Sequence, residues 1–382
     1  MIYLDNAATT MSKPTQVVDA VVDAMRTFGG VGRGVHASVL QADTAVYRAR
    51  LAIAKLIGAP DASRVAFASN ATEALNTAIA GLLEAGDHTI TTAASHNSVL
   101  RPLYRLRDAG VIELDIAPIS ADGSLDYDAL EALFRPSTRL VVVTHASNLT
   151  GDMYDVERIA RMAHAHGARI VVDVAQTAGT WPIDMGGQGL DVVAFTGHKG
   201  LFGPQGTGGL CVAEGVDVRP LKVGGSGVHS FDELHPTFMP ERLEAGTLNA
   251  HGIAGLGAGV SFILEQGIEE VCRHDRRLAE RFREEAAAIP GVRILGGGAD
   301  GRCAIVALNV GEIDSGEVAF RLNSEFGVCT RAGAHCAPLM HEALDTVEQG
   351  AVRFSFSYLN TDEEVELALA ALRAIALDAE QD

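Results

Sequence analysis

Ala168-Arg169-Ile170-Val171-Val172-Asp173-Val174-Ala175-Gln176, then Asp191-Val192-Val193-Ala194-Phe195-Thr196-Gly197-His198-Lys199, sets the architecture of this chain. Each half is an apolar, β-branched run too short for a helix, and each ends in polar residues, as a fully buried strand does. Val65–Ser69, Thr89–Ala93, Leu140–Ala146 and Gly208–Ala213 read the same way. Helix-period segments alternate with them at Ala42–Ile57, Thr72–Glu84, Tyr127–Leu133 and Val156–His166. The alternation predicts βαβ units, hence an α/β protein with a mainly parallel sheet covered by helices.

Beyond Asn249 the texture changes. Helical stretches at Ile253–Leu264 and Ile268–Ala288 lead to Arg302–Val310, a helix at Ser315–Phe326, Ala351–Tyr358 and a last helix at Glu363–Leu377. A large domain over 13–250 and a smaller α+β domain over 251–382 are expected, the latter joined by residues 1–12. At 382 residues the chain is long enough for two cores. No repeat or low-complexity tract interrupts it.

Composition narrows the function. Asp and Glu outnumber Lys and Arg by 49 to 30, so a phosphate-tracking surface for nucleic acid is not expected. The uncharged stretch Ala245–Leu264 contains Asn249 and His251 and reads as a buried helix rather than a membrane span. The chain opens on Met1-Ile2-Tyr3-Leu4-Asp5-Asn6, without the basic start and apolar run of a signal peptide. Its five scattered cysteines, with no C-x-x-C pair, fit a reducing compartment, so a cytoplasmic location is expected.

Ligands of open α/β sheets sit beyond the carboxyl ends of the strands. Thr72, His96, Asn148, Asp173, Gln176 and Lys199 all follow predicted strands there. Singly, each has a plain structural explanation as a turn residue, a cap or a solvated charge. Together they describe a site. Asp173 can pair with a protonated pyridine nitrogen while the Lys199 amine condenses with an aldehyde on the same ring, which is the chemistry of pyridoxal phosphate. Asn70 can cap the helix that follows it, with Glu73 reaching back. The amides near Ala71 and Thr72 are then free for a phosphate at the positive end of the helix.

Other motifs fail their structural context. Gly296-Gly297-Gly298-Ala299-Asp300-Gly301 fits G-x-G-x-x-G but precedes a strand rather than a helix, and Gly197-His198-Lys199-Gly200 lacks the remainder of a P-loop. In Arg331-Ala332-Gly333-Ala334-His335-Cys336-Ala337-Pro338, the glycine and proline put Cys336 in a loop. Arg331 and His335 beside it could activate the thiol as a nucleophile. A metal site of His335, Cys336 and His341 lacks a fourth ligand at a telling spacing, so no metal is expected.

Six segments in order resemble the cysteine desulfurases of the class-V aminotransferases, fold type I of pyridoxal-phosphate enzymes. They are Tyr3–Thr10, Asn70–Asn76, Asp173–Gln176, Phe195–Lys199, Arg242–Thr247 and Arg331–Pro338. The thiol segment is most similar to the group-II branch, which includes Suf-type enzymes and selenocysteine lyases. The resemblance implies a seven-stranded sheet and an N-terminal segment that joins the active site of a homodimer. It implies that Lys199 binds the cofactor aldehyde, Asp173 the pyridine nitrogen and Gln176 the phenolic oxygen, with His96 stacked on the ring. Ala71, Thr72, Thr196 and His198 would hold the phosphate, joined by Thr247 from a partner subunit. Arg353 would clamp the substrate carboxylate, helped by Asn148 and the backbone near Ala7, with Arg331 and His36 at the same substrate site.

Cys336 would accept sulfur from L-cysteine, or selenium from L-selenocysteine, for delivery to an acceptor protein. A selenocysteine lyase, another C–S lyase, and an aminotransferase or epimerase are the alternatives on this scaffold. The chain departs from the family pattern at Ala334, where the branch commonly has a histidine, and at Ala71, where a threonine is frequent. It also begins almost at the Leu4-Asp5 motif.

Overall fold

The computed structural model of the chain describes residues 1–32, 34–298 and 301–379. It opens with β1 (Ile2–Tyr3), α1 (Thr15–Thr27) and α2 (Ala37–Ile57). Seven strands then form one sheet: β2 (Val65–Ala68), β3 (His88–Thr92), β4 (Glu113–Ala117), β5 (Thr138–Thr144), β6 (Arg169–Asp173), β7 (Val192–Thr196) and β8 (Gly208–Val212). Helices α3 (Ala71–Leu82), α4 (Asn97–Asp108), α5 (Tyr127–Glu131) and α6 (Val156–Ala165) run between them. The order across the sheet is β2-β8-β7-β6-β5-β3-β4. Only β8 runs antiparallel to its neighbours.

Period-two alternation sorts the central strands onto two apolar layers. Val142, Val171 and Ala194 pack beneath Leu75 and Ile79 of α3 and Val99 and Leu103 of α4. Val141, Val143, Val172 and Phe195 pack on the other face with Ile53 and Ile57 of α2 and Ile159 of α6. The edge strand β4 escapes the sequence reading because Glu113 and Asp115 interrupt its apolar run, and both pair with Arg135. Pro102 and three arginines similarly hide the period of α4. The second helix starts at Ala37 rather than Ala42, its extra turn lying largely at the surface.

The rest of the chain forms α7 (Ala250–Gln266), α8 (Ile268–Ala287), β9 (Val292–Leu295), β10 (Ile305–Val310), α9 (Ser315–Phe326), β11 (Val328–Cys329), β12 (Arg331–Gly333), α10 (Pro338–Ala343), β13 (Ala351–Ser355) and α11 (Asp362–Ala379). The uncharged stretch is α7, which packs on α1 and α2. Among the described residues no helix is long and apolar enough to cross a membrane. An antiparallel sheet ordered β12-β13-β10-β9 carries its own core, with Phe282, Leu322, Phe354 and Leu372. Gly296–Gly298 lie outside regular structure between β9 and β10, while Ala299 and Asp300 of that motif lie outside the described residues.

The N-terminal segment joins the two sheets. β1 pairs with β11, the Ser355 amide donates to the Leu4 carbonyl at 2.7 Å, and the Thr10 amide donates to the His198 carbonyl at 3.0 Å. Ten residues thus run from the small sheet to the loop after β7.

On α8, Asp275 is 1% exposed, and burial pushes its carboxyl up to about 6 despite His274 at 3.4 Å. Between pH 3.8 and about 6 the folded chain therefore binds more protons than the unfolded chain, and its stability falls as pH rises through that window. Relative to the unmodified chain, Asp275→Asn should be neutral below about pH 4 and more stable by on the order of 3 kcal/mol at pH 7. Urea unfolding at both pH values checks this, and an equal effect at both would rule it out.

Candidate active site

The start of α3 shows how local sequence prepares the site. Asn70 Oδ1 accepts from the Glu73 amide at 2.9 Å, and Glu73 Oε2 accepts from the Ser69 amide at 2.7 Å. The reach-back lands one residue earlier than in a standard capping box. Gly208 lies beneath this start, and a Cβ there would stand 2.8 Å from the Asn70 Cα. Ala71 and Thr72 are left facing a cavity of about 210 Å³ at the carboxyl ends of the strands.

His96, Asn148, Asp173, Gln176, Thr196, His198 and Lys199 line the same cavity. Asp173 ends β6, accepts from the Ala175 amide at 2.9 Å and is pushed up in pKa by burial. Burial and the nearby Arg353 hold the Lys199 amine down to about 8. His96 Nδ1 accepts from the Ser98 amide at 3.0 Å, which leaves the proton of the neutral ring on Nε2. Burial, followed by the charge of Lys199, holds His96 down to about 4, and the same two causes hold His198 to about 4. Thr196 Oγ1, His198 Nδ1 and Asn148 Oδ1 are buried without partners. Buried polar atoms are rarely left so, and these fit a polar ligand in the cavity.

A second cluster adjoins the first. Arg331 and Arg353 stand directly opposite in the β12–β13 ladder, so their side chains share a face. Arg353 is 1% exposed; its Nη1 donates to the Asn148 carbonyl at 2.8 Å and its Nη2 to Asp5 Oδ1 at 2.9 Å. Its Nε is buried without a partner. The Ala7 amide donates to Ser355 Oγ at 2.9 Å, and its carbonyl accepts from Gln176 Nε2 at 3.2 Å. Arg353 and Cys336 are not in the cavity wall. The Cys336 carbonyl nevertheless accepts from the Asn97 amide at 2.9 Å, one residue past His96.

The structure locates three further residues. His335 is buried and held down to about 3, first by burial and then by Arg353, so it brings no positive charge to the thiol. Thr247 lies outside the cavity of its own chain, in a groove with Gly32, Asp43 and Tyr47. His36 caps α2 at the surface and contacts Ser38 Oγ at 2.8 Å. The His335 and His341 rings stack 6.0 Å apart, and among the described residues no group of three is placed to hold a metal.

Ser98 and Lys13 are additions that the sequence reading missed. The Ser98 hydroxyl lies 2.8 Å from both Thr72 Oγ1 and His96 Nδ1. Its position two residues after a strand-end histidine was the available signal. Lys13 bonds Thr10 Oγ1 and reaches the His198 carbonyl at 3.4 Å, and burial lowers its amine to about 8. No local pattern marks Lys13, because the crossing of the N-terminal segment places it.

An open, mainly parallel sheet whose strand ends converge on a partly buried lysine, a buried acid and unpartnered polar atoms defines an α/β enzyme with its ligand site at the carboxyl ends. The chain belongs to the aminotransferase class-V family, whose model matches residues 2–368. It is 35% identical over 384 residues to a probable cysteine desulfurase of Methanothermobacter thermautotrophicus, covering 98% of this chain and 94% of that one. A cysteine desulfurase of Escherichia coli is 32% identical over 386 residues, covering 98% and 93%. The apo structure of a cysteine desulfurase from Thermococcus onnurineus superposes with a TM-score of 0.91 at 32% identity, over 99% of this chain and 95% of that one. The likeness extends to the fold type I expected from sequence.

Because His96 and His198 have depressed pKa values when folded, the native state resists their protonation. Their contribution to stability is present above about pH 6.5 and lost as pH falls toward 4. In a ring-proton NMR titration of the cofactor-free chain, both should stay flat from pH 8 to about pH 5. Inflections near 6.5 would contradict the burial argument.

Proposed function

We propose that this chain is a pyridoxal 5′-phosphate enzyme that takes sulfur from L-cysteine onto Cys336 as a persulfide and releases L-alanine. The observation that carries this reading is the bond from the Asn97 amide to the Cys336 carbonyl, which tethers the loop bearing the thiol one residue past His96 of the lysine-bearing cavity. The unpartnered Thr196 hydroxyl and His198 ring nitrogen suit the cofactor's phosphate, with the Ala71 amide and Thr72 hydroxyl at the positive end of α3. Asp173 would face the protonated ring nitrogen, a cation that favours its ionised form, and Gln176 would face the phenolic oxygen. An uncharged His96 can stack on a cationic ring without repelling it.

Bound there, the cofactor supplies an electron sink that makes the Cα proton of an attached amino acid acidic. Lys199, held near pKa 8, keeps a usable fraction of free amine to bind the aldehyde and then to move that proton. The free Nε of Arg353 and the opposed charge of Arg331 favour a substrate carboxylate, with Asn148 and the backbone near Ala7 beside it. The Cys336 thiolate attacks the substrate sulfur: one S–S bond forms and one C–S bond breaks. Cysteine plus thiol becomes alanine plus persulfide, with no external oxidant. The persulfide would then pass to an acceptor protein.

In this reading residues 13–250 bind the cofactor, and residues 1–12 with 251–382 supply the carboxylate clamp and the thiol. Homodimerisation is supported by Val18, Val22 and Met25 of α1 and by Leu40, Tyr47 and Leu51 of α2, all exposed apolar side chains. It would bring the partner's copies of Thr247 and His36 to each site. The cysteines are all free thiols, in keeping with a cytoplasmic enzyme.

Lys199→Ala should lose the cofactor's visible band and slow alanine formation by on the order of 10²–10⁴-fold. Cys336→Ala should keep the band but form no persulfide from cysteine, and sulfide release at the unmodified rate would refute the thiol's role. A variant that still turns over selenocysteine but not cysteine would shift the reading to a lyase. Val22→Asp with Met25→Asp should convert a dimer to a monomer by light scattering, and an unmodified chain that is already monomeric would remove the dimer.

A further inference from the structure

Cys336 is held in a turn that its own residues disfavour. Ala334 to Ala337 close a β-turn, with the Ala337 amide donating to the Ala334 carbonyl at 3.0 Å. Its central residues, His335 and Cys336, have φ of 50° and 57°. Positive φ at both central positions is the requirement of a type I′ turn, which is normally met by Asn and Gly. Neither His nor Cys meets it cheaply, so external contacts must hold the turn.

Both central carbonyls are caught from outside. The Asn97 amide takes that of Cys336 at 2.9 Å, and Asn148 Nδ2 takes that of His335 at 2.6 Å. The first donor is backbone at the start of α4. The second is the side chain of Asn148, a residue 7% exposed and rooted beyond β5, whose backbone carbonyl accepts from Arg353 Nη1 at 2.8 Å. Its amide has a second N–H to offer a ligand, and its Oδ1 is buried unpaired. Asn148 therefore touches the cavity, the arginine and the thiol turn at once.

We propose that Asn148 is a positioning residue for sulfur transfer, its side-chain amide holding the strained His335–Cys336 turn in the posture that presents the thiol. This rests on the reading of Cys336 as the sulfur acceptor. Without the Asn148 donor the turn relaxes, and Cys336 becomes more accessible and less well aimed.

The test is the alkylation of Cys336 by iodoacetamide in cofactor-loaded protein, carried out in a Cys329→Ser background. That change removes the other partly exposed thiol, since Cys211, Cys272 and Cys303 are buried. Asn148→Asp, which keeps the shape but loses the donor, and Asn148→Ala should each raise the alkylation rate by roughly tenfold, the scale of one lost hydrogen bond. Persulfide formation should fall alongside. Equal alkylation rates in variants and background would overturn the proposal. If neither variant folds, hydrogen exchange on the unmodified protein decides: Ala337 amide protection comparable to β5 supports the tether, and exchange as fast as a surface turn overturns it. Failure of the desulfurase reading would appear separately, as sulfide release that survives Cys336→Ala.

Discussion

Two arginines facing each other on one sheet face are the constraint around which this site is built. Arg331 and Arg353 are paired by strand register, and Arg353 is almost wholly excluded from water. Like charges so placed repel, and burying one without an anion is costly. Asp5 answers Arg353 with one carboxylate oxygen, which is why the N-terminal segment must lie between the sheets. The same field reaches outward. Arg353 is the second cause, after burial, that lowers both Lys199 and His335. Added to burial, the Arg353 charge thus helps to keep the Lys199 amine and the His335 ring unprotonated.

How much of this was readable in the sequence follows from where each residue's partners lie. Strands buried on both faces, such as β5 and β6, announce themselves as apolar runs, and the polar residues at their ends follow directly. That is why Asp173, Lys199 and Asn148 stand out in the order of residues alone. Asn70 and Glu73 carry their own cap within four residues. The edge strand β4 and the helix containing Pro102 break the patterns on which such reading depends.

Contacts made across the chain left no local trace. The Arg353–Asp5 pair spans 348 positions, and the bond from Asn148 to His335 spans 187. Sequence placed Cys336 in a loop but could not give the positive φ of its turn. It also made His335 a source of charge, which burial forbids. The departure at Ala334 costs little, because that residue serves the turn through its backbone carbonyl.

The thiol turn and the helix starts solve opposite problems with the same chemistry. At α3 Asn70 takes the Glu73 amide, and Ala71 and Thr72 are left facing the cavity. At α4 the chain gives the Asn97 amide to the Cys336 carbonyl instead. One helix start is left facing the cavity, and the next holds the loop that carries Cys336. Since His96 immediately precedes Asn97, the ring that borders the cavity and the tether of the thiol loop are held by the same helix start. That helix start is fixed in turn by Val99 and Leu103 of α4, which pack against Val142, Val171 and Ala194 of the sheet.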